Sequence, residues 1–199
     1  MEKPVGMILA GGLSRRMGGG DKGLLRLDGA PILSHIVRRI APQVSTLLLN
    51  ANGPAARFGL DLTVVPDSLP ERPGPLAGIL AGLDYVAEHL PQARFLLTVP
   101  SDCPFLPDDL GDRLHIAAAR NGAACAASGG RVHGVVGLWP VAARQDLRHL
   151  LVVDRVRRVD SWLGRVGAVA VDWPAIPYDP FFNVNTPDDL AAAESMARS

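Results

Sequence analysis

Lysine is scarce in this chain of 199 residues, whose twenty basic residues comprise eighteen arginines and two lysines. The formal net charge is zero, which argues against a dedicated nucleic-acid-binding protein, because such proteins usually present a clearly basic surface. The sequence also lacks a run of eighteen apolar residues, so it predicts no membrane-spanning helix. Lys3 lies near the start of the chain, where almost any polar residue would serve. Lys22 is therefore the lysine whose presence needs an explanation.

Cysteine is equally rare, and Cys103 and Cys125 form neither a CxxC pair nor a ligand-spaced cluster. We expect both to be small buried residues in a reducing compartment. The first residues lack the charged, apolar and small-residue pattern of a secretory signal peptide, which predicts a cytoplasmic protein. The five histidines show no metal-ligand spacing, and sequence order assembles no Ser/His/Asp set, so acyl transfer is unsupported.

Short apolar segments rich in β-branched residues recur along the chain. Six of them are predicted to form buried strands: 5–10, 45–49, 62–65, 95–99, 135–138 and 166–171. The Ala- and Gly-rich segment 121–130 has two interpretations, a short stretch of low complexity or a further strand with a turn at Gly129 and Gly130.

Helical patterns alternate with these strands. Helices are predicted after Pro31 and after Pro75, and a final helix is predicted from Pro187 with Thr186 as its N-cap. This alternation is typical of a single α/β domain with a largely parallel sheet. In such a domain, ligands bind beyond the carboxyl ends of the strands.

A glycine-rich segment follows the first predicted strand. Five glycines within residues 11–20 allow backbone N–H groups to approach an anion, and Arg15, Arg16 and Lys22 add positive charge. The segment matches neither the Walker A pattern, since Gly23 follows Lys22, nor the GxGxxG fingerprint. A compact ammonium fits between phosphate oxygens where a planar guanidinium needs more room, so we expect Lys22 to contact a triphosphate. The alternative is a flexible surface loop with solvated arginines.

A carboxylate follows the predicted strand 95–99. Asp102 should therefore stand at the carboxyl end of a buried strand, at the same sheet edge as the glycine-rich segment. Magnesium usually takes one or two protein carboxylates together with phosphate oxygens and water, so Asp102 beside a bound nucleotide would suffice to hold it. The alternative is an ordinary turn aspartate before Pro104.

Six ordered blocks of the sequence resemble a known family. Residues 9–25 read LAGGLSRRMGGGDKGLL, which resembles the signature of the MobA-like nucleotidyltransferases. The resemblance continues in the same order through NAN at 50–52, PDS at 66–68, PGPLAG at 73–78, SDCP at 101–104 and FNVNTP at 182–187. It implies a three-layer, Rossmann-like nucleotidyltransferase fold with a mostly parallel central sheet.

The resemblance also implies roles for individual residues. The implied GTP contacts are Leu9, Ala10, Gly11, Lys22, Asn50, Asp67 and Asp102, with Mg²⁺ on Asp102 and with Lys22, Asp102 and Arg16 as the catalytic groups. Gly74, Gly78, Asn183 and Asn185 match further active-site positions. Taken alone, the polar residues have simpler explanations: Asn50 as a helix cap, Asp67 as part of a turn, and Asn183 and Asn185 as partners of loop backbone groups.

The activity implied by the resemblance is transfer of GMP from GTP to the phosphate of a molybdopterin-bound molybdenum cofactor, with release of pyrophosphate. Residues 1–110 would form the nucleotide-binding part and residues 111–199 the acceptor-binding part. The LAGG sequence at 9–12 favours GTP over CTP, since related cytidylyltransferases tend to read LAAG. Transient contacts with cofactor-synthesis proteins or recipient molybdoenzymes are also implied, without nucleic acid or membrane.

Alternative activities remain open at this point. They are cytidylyl transfer to the same cofactor, nucleotidyl transfer to a sugar phosphate, and a non-catalytic GTP-binding module. The sequence departs from the family pattern after His133, where members often place proline and this chain has Gly134. That departure falls in the part of the chain assigned to the acceptor.

Overall fold

The computed structural model describes residues 2–10, 22–69 and 74–198. The strands of these segments are β1 (Val5–Leu9), β2 (Arg26–Leu27), β3 (Ala30–Pro31), β4 (Thr46–Asn50), β5 (Thr63–Val65), β6 (Phe95–Pro100), β7 (Ala124–Ser128), β8 (Arg131–Pro140) and β9 (Val169–Trp173). The α-helices are α1 (Ile32–Ile40), α2 (Pro75–His89), α3 (Leu110–Asn121), α4 (Arg144–Val152), α5 (Val159–Val166) and α6 (Pro187–Ala197).

Seven of these strands form one sheet, in the order β5-β4-β1-β6-β8-β7-β9. β1 pairs in parallel with both β4 and β6, whereas β8 runs antiparallel to both β6 and β7. The chain builds β4 and β5 on one side of β1 and then crosses to β6 on the other side. The carboxyl ends of β1 and β6 therefore flank the crevice where an α/β sheet binds ligands, and the predicted, mostly parallel sheet is confirmed.

Helices cover both faces of this sheet. Ile8 and Leu97 belong to a core formed with α1 and α3, whereas their chain neighbours Met7 and Leu96 belong to a core formed with α2, α4 and α5. Successive side chains of a strand point to opposite faces, so the continuous apolar runs of β1 and β6 supply both cores. The predicted three-layer α/β arrangement is confirmed.

All six predicted strands form, although β8 begins four residues before the predicted segment 135–138. The sixth prediction was wrong at its start, because Val166 is the last residue of α5. Gly167 ends that helix in the left-handed conformation, with a φ of 65°, and β9 begins at Val169. Segment 121–130 contains β7 followed by a two-glycine turn, which confirms the strand interpretation.

The three predicted helices are confirmed as α1, α2 and α6. At the start of α6, the Thr186 side chain accepts a hydrogen bond from the Asp189 N–H at 3.1 Å. The Asp189 carboxylate accepts one from the Thr186 N–H at 2.8 Å, which completes a capping box. The helices of the described segments all fall short of the length and hydropathy that a membrane span requires.

Candidate active site

A cavity of about 400 Å³ opens at the carboxyl ends of β1, β4 and β6. The sheet topology brings these strand ends together although they are far apart in the sequence. The cavity is lined by six residues that the sequence singles out: Leu9, Asn50, Asp67, Gly74, Asp102 and Asn183. Arg131 and His133, at the start of β8, line the opposite wall. Four of the implied nucleotide contacts, including the implied metal ligand Asp102, thus face one shared space.

Asn50 and Asp67 are joined by hydrogen bonds on the β4 side of the cavity. The Asn50 amide donates to the Asp67 carboxylate at 3.0 Å and to the Val65 carbonyl at 3.0 Å, and Asn50 is only 2% exposed. The Asn52 amide donates to the second Asp67 oxygen at 2.9 Å, and the Asp67 N–H donates back to Asn52 at 3.1 Å. These bonds fix the direction of the Asp67 carboxylate at the cavity wall.

Gly78 lies behind this cluster, on α2. A Cβ atom at Gly78 would lie 2.3 Å from the Asn50 Oδ1 atom and 3.0 Å from a Leu9 methyl carbon. Glycine at this position therefore gives the Asn50 carboxamide its space, and Gly78 supports the cavity indirectly through Asn50. Gly74 lines the cavity itself, immediately before the first turn of α2.

We expect Gly78→Ala to weaken GTP binding by about tenfold, because the new methyl group displaces Asn50 and, through it, Asp67. The strain should also lower the free energy of unfolding by about 1–3 kcal/mol. Gly82→Ala is a matched control on the same helix, since its Cβ would meet Met7 and Leu96 at 2.7 Å, within the core. Calorimetric titration with GTP and thermal melts should show both variants destabilised and only Gly78→Ala impaired in binding. Equal GTP affinity in the two variants would contradict this role of Gly78.

Asp102 is held by the loop that precedes α6. The Asn183 amide donates to the Asp102 carboxylate at 2.9 Å, and the Val184 N–H donates to the Asp102 backbone carbonyl at 2.9 Å. The Asn183 amide also lies 3.2 Å from the sulfur of Cys103. Asn183 therefore positions the carboxylate that is expected to hold the metal. Asn185 lies two residues further on, where its N–H donates to Asp189 at the start of α6.

The residues directly after the glycine-rich segment pack against the end of β6. Gly11 and Arg16 lie outside the described residues, as does the side chain of Lys22. The 3₁₀ helix Lys22–Leu24 follows them, and a Cβ at Gly23 would lie 3.3 Å from the Ser101 carbonyl oxygen. The backbone at Gly23, the residue after Lys22, therefore packs against Ser101, which directly precedes Asp102. Ala10 lies at the adjacent strand end, where its N–H donates to the Asn50 carbonyl at 2.8 Å.

Both cysteines are buried, as predicted. Burial raises the pKa of the Cys103 thiol well above its usual value, and the carboxylates of Asp102 and Asp179 raise it further. Burial also raises the pKa of Cys125. Both thiols therefore stay protonated near neutral pH, so neither is an activated nucleophile.

Sequence order does not reveal a second polar cluster, on the β8 wall of the cavity. The Ser128 hydroxyl lies 2.8 Å from His133 Nε2 and donates to the Asp179 carboxylate at 2.7 Å. Burial lowers the pKa of His133; the Asp179 carboxylate acts against this shift and Arg131 adds to it. Two of its members carried a sequence signal: His133 directly precedes the departure from the family pattern, and Asp179 lies four residues before the implied site residue Asn183.

Gly134, where the sequence departs from the family pattern, has a packing explanation. A Cβ at this position would lie 2.6 Å from a Val159 methyl carbon and 3.0 Å from one of Leu163. Glycine therefore lets α5 lie directly against β8, and the departure from proline fits this close contact.

The sequence matches the MobA-like NTP transferase domain over residues 6–168. Molybdenum cofactor guanylyltransferase from Bradyrhizobium sp. (strain ORS 278) is 54% identical over 195 residues, which cover 96% of this chain and 92% of that protein. The protein of the same name from Rhizobium meliloti (strain 1021) is 43% identical over 201 residues, which cover 96% and 91% respectively.

Solved structures share the fold at lower sequence identity. Molybdopterin-guanine dinucleotide biosynthesis protein A from Archaeoglobus fulgidus matches with a TM-score of 0.75 and 21% identity, over 98% of each chain. CMP:2-keto-3-deoxy-manno-octonic acid synthetase complexed with CTP matches with a TM-score of 0.74 and 13% identity, over 99% of each chain. The fold is thus that of nucleotidyltransferases. Because the family match covers most of the sequence and the relatives align nearly end to end, the chain belongs to the MobA-like NTP transferase family.

Proposed function

We propose that the protein transfers the GMP moiety of GTP to the phosphate of a molybdopterin-bound molybdenum cofactor and releases pyrophosphate. The observation that carries this proposal is the cavity in which Asn50, Asp67, Asp102 and Asn183 meet at the carboxyl edge of the sheet. Relatives that are 43–54% identical over nearly their whole length, and that are named molybdenum cofactor guanylyltransferase, support it.

GTP would lie across the ends of β1 and β4. Asp67 is suited to receive hydrogen bonds from donor groups of the nucleotide, because Asn50 and Asn52 fix its carboxylate and an ionised carboxylate accepts about four bonds. Leu9 and Ala10 would contact the nucleotide beside this cluster, together with Gly11 of the glycine-rich segment. The triphosphate would then extend along that segment toward Lys22.

The residues present fit a magnesium ion better than a metal that needs a protein cage. The described residues contain no group of three or more His, Cys, Asp or Glu that could hold a metal. Asp102 would hold Mg²⁺ as a single carboxylate ligand, and phosphate oxygens and water would complete the shell. When bound, the ion would neutralise phosphate charge and polarise the reacting phosphoryl group.

The reaction needs little acid–base chemistry from the protein. A phosphate oxygen of the acceptor is already a nucleophile at neutral pH, and it would attack the α-phosphorus in line while pyrophosphate departs. The chain's own residues would then contribute positioning and charge: Asn183 orients Asp102, and Lys22 and Arg16 neutralise the triphosphate. The protonated, buried Cys103 agrees with such a mechanism, which uses no thiolate.

A nucleotide panel tests this proposal. With a molybdopterin-bearing acceptor and Mg²⁺, we expect kcat/KM with GTP to exceed that with CTP by about a hundredfold, since a wrong base leaves about two hydrogen-bonding groups unpaired. ATP and UTP should perform no better than CTP. Pyrophosphate release and the nucleotide attached to the product are measured together, with and without EDTA.

Each alternative predicts a different result in this panel. Preference for CTP would indicate cytidylyl transfer, and turnover with a sugar phosphate in place of the molybdopterin acceptor would indicate a sugar-phosphate enzyme. Tight GTP binding without pyrophosphate release would indicate a non-catalytic module.

A cytoplasmic location and transient contacts with cofactor-synthesis proteins or recipient molybdoenzymes also belong to this proposal.

A further inference from the structure

Three polar residues, two from the β7–β8 hairpin and one from a distant loop, meet at the β8 wall of the cavity. Ser128 ends β7, His133 lies on β8, and Asp179 lies in the loop before α6. Ser128 is 2% exposed and its hydroxyl contacts both partners, at 2.8 Å from His133 Nε2 and 2.7 Å from the Asp179 carboxylate. The Phe181 ring packs on the imidazole, with the ring centroids 4.8 Å apart. The imidazole is therefore held by one nitrogen and by one face.

The hydrogen atoms in this cluster follow from the inventory of donors. A serine hydroxyl has one hydrogen, and Ser128 donates it to the Asp179 carboxylate. The contact between Ser128 and His133 then requires the Nε2 atom to be the donor. In the neutral imidazole, Nδ1 is consequently left as a hydrogen-bond acceptor. Burial favours this neutral form, since it lowers the pKa of His133.

The order of these groups excludes a nucleophilic triad. In such a triad the histidine stands in the middle and takes the proton of the serine. Here the hydroxyl stands in the middle and gives its hydrogen to the carboxylate, and the hydroxyl is buried. Ser128 therefore links the Asp179 carboxylate to the His133 imidazole and fixes the orientation of the ring. His133 is the member of the cluster that faces the cavity.

We propose that Asp179 and Ser128 are positioning residues that hold His133 so that its Nδ1 atom accepts a hydrogen bond from a ring N–H of the pterin-type acceptor. This inference rests on the proposed function, and it assigns the β8 wall of the cavity to the acceptor. Asn50 and Asp67 occupy the opposite wall, where the nucleotide is placed. The two substrates would thus bind on separate walls of the same cavity, with Asp102 between the elements that form them.

One loop connects the β8 wall to Asp102. The Asp179 carboxylate also accepts a hydrogen bond from the Phe181 N–H at 2.9 Å, and the Cys103 thiol lies 3.6 Å from the Phe181 carbonyl oxygen. Two residues later, Asn183 donates to Asp102. Asp179 and Asn183 therefore set the positions of His133 and of the metal-binding carboxylate from the same short segment. This shared segment would fix the position of the acceptor's phosphate relative to the nucleotide.

Three variants separate the two ends of the imidazole. Ser128→Ala removes the link to Asp179; His133→Gln keeps a polar group near the Nε2 position; His133→Asn keeps an acceptor near the Nδ1 position. His115→Gln is the matched control: His115, on α3, also packs on an aromatic ring, with its centroid 5.4 Å from that of Phe95, but this contact lies at the amino end of β6, away from the cavity. Binding of molybdopterin alone and of GTP alone is measured by calorimetry, with thermal melts and with KM and kcat for both substrates.

We expect His133→Gln and Ser128→Ala to raise the dissociation constant and KM for molybdopterin by about five- to twentyfold, the loss expected for one hydrogen bond. His133→Asn should bind molybdopterin more tightly than His133→Gln, and the affinity for GTP should stay within about twofold in all variants. Unchanged molybdopterin affinity in His133→Gln would overturn the inference. So would an equal loss of GTP and molybdopterin affinity, which would indicate a structural role only.

The same measurements distinguish failure of this inference from failure of the proposed function. If the wild-type protein binds molybdopterin through His133 but transfers no GMP, the proposed function is wrong, whereas the assignment of the β8 wall to the acceptor is correct. If all variants bind and transfer like wild type, the proposed function stands and the role of His133 fails. If wild type does not bind molybdopterin, both fail.

Discussion

Asp102→Asn should lower the Mg²⁺-dependent turnover of GTP by about a thousandfold. A carboxylate about 4 Å from a unit positive charge contributes roughly 4 kcal/mol at an effective dielectric constant near 20, and asparagine removes that charge without changing the side-chain shape. The protein should still fold, because the Asp102 carbonyl keeps its bond from Val184 and the new amide oxygen can accept from Asn183. Pyrophosphate release across a Mg²⁺ titration measures the turnover, and a thermal melt measures the stability of the fold.

The control for this substitution is Asp108→Asn, which removes an equal charge from a side chain that is 83% exposed and paired with Arg39 at the surface. Its turnover should match wild type, because exposed ion pairs contribute little. GTP affinity in the absence of Mg²⁺ should remain close to wild type in Asp102→Asn. Wild-type pyrophosphate release by Asp102→Asn would refute the metal assignment.

Much of the candidate site could be predicted because its residues follow strands. Asn50, Asp67 and Asp102 each lie at or just after the end of a predicted strand, and parallel strands place such positions at one edge of the sheet. The same rule predicts the glycine-rich segment at this edge, a prediction that falls on residues outside those the structure describes. Local signals also sufficed at α6, where Thr186 and Asp189 form a capping box from their own spacing.

The remainder depends on contacts that periodicity does not encode. Ser128, His133 and Asp179 meet because β7 and β8 form a hairpin beside the loop that precedes α6, and that pairing is tertiary. Val166 belongs to an apolar run that could continue as strand, and only the left-handed Gly167 separates helix from strand there. Gly78 was implied as an active-site residue, yet its physical role is the space that it leaves for Asn50, which requires coordinates.

Lys22→Ala should reduce kcat/KM for GTP by about a hundredfold to a thousandfold and should also weaken GTP binding. One ammonium–phosphate contact is worth roughly 4 kcal/mol before desolvation under the same dielectric conditions, so part of that sum is lost with the side chain. Gly23, the residue after Lys22, packs on Ser101, which directly precedes Asp102. Steady-state pyrophosphate release and GTP titration report the two effects separately.

The chain provides its own control, since Lys3 is its only other lysine. Lys3 precedes β1, at the amino end of the sheet, where its ammonium donates to the Pro42 carbonyl at 2.6 Å. Lys3→Ala removes the same charge from the protein, so an electrostatic effect of net charge alone would appear in both variants. We expect the loss of kcat/KM only in the Lys22 variant. Lys22→Arg should restore part of the activity, because a planar guanidinium needs more room between phosphate oxygens; full activity would show that charge alone matters there.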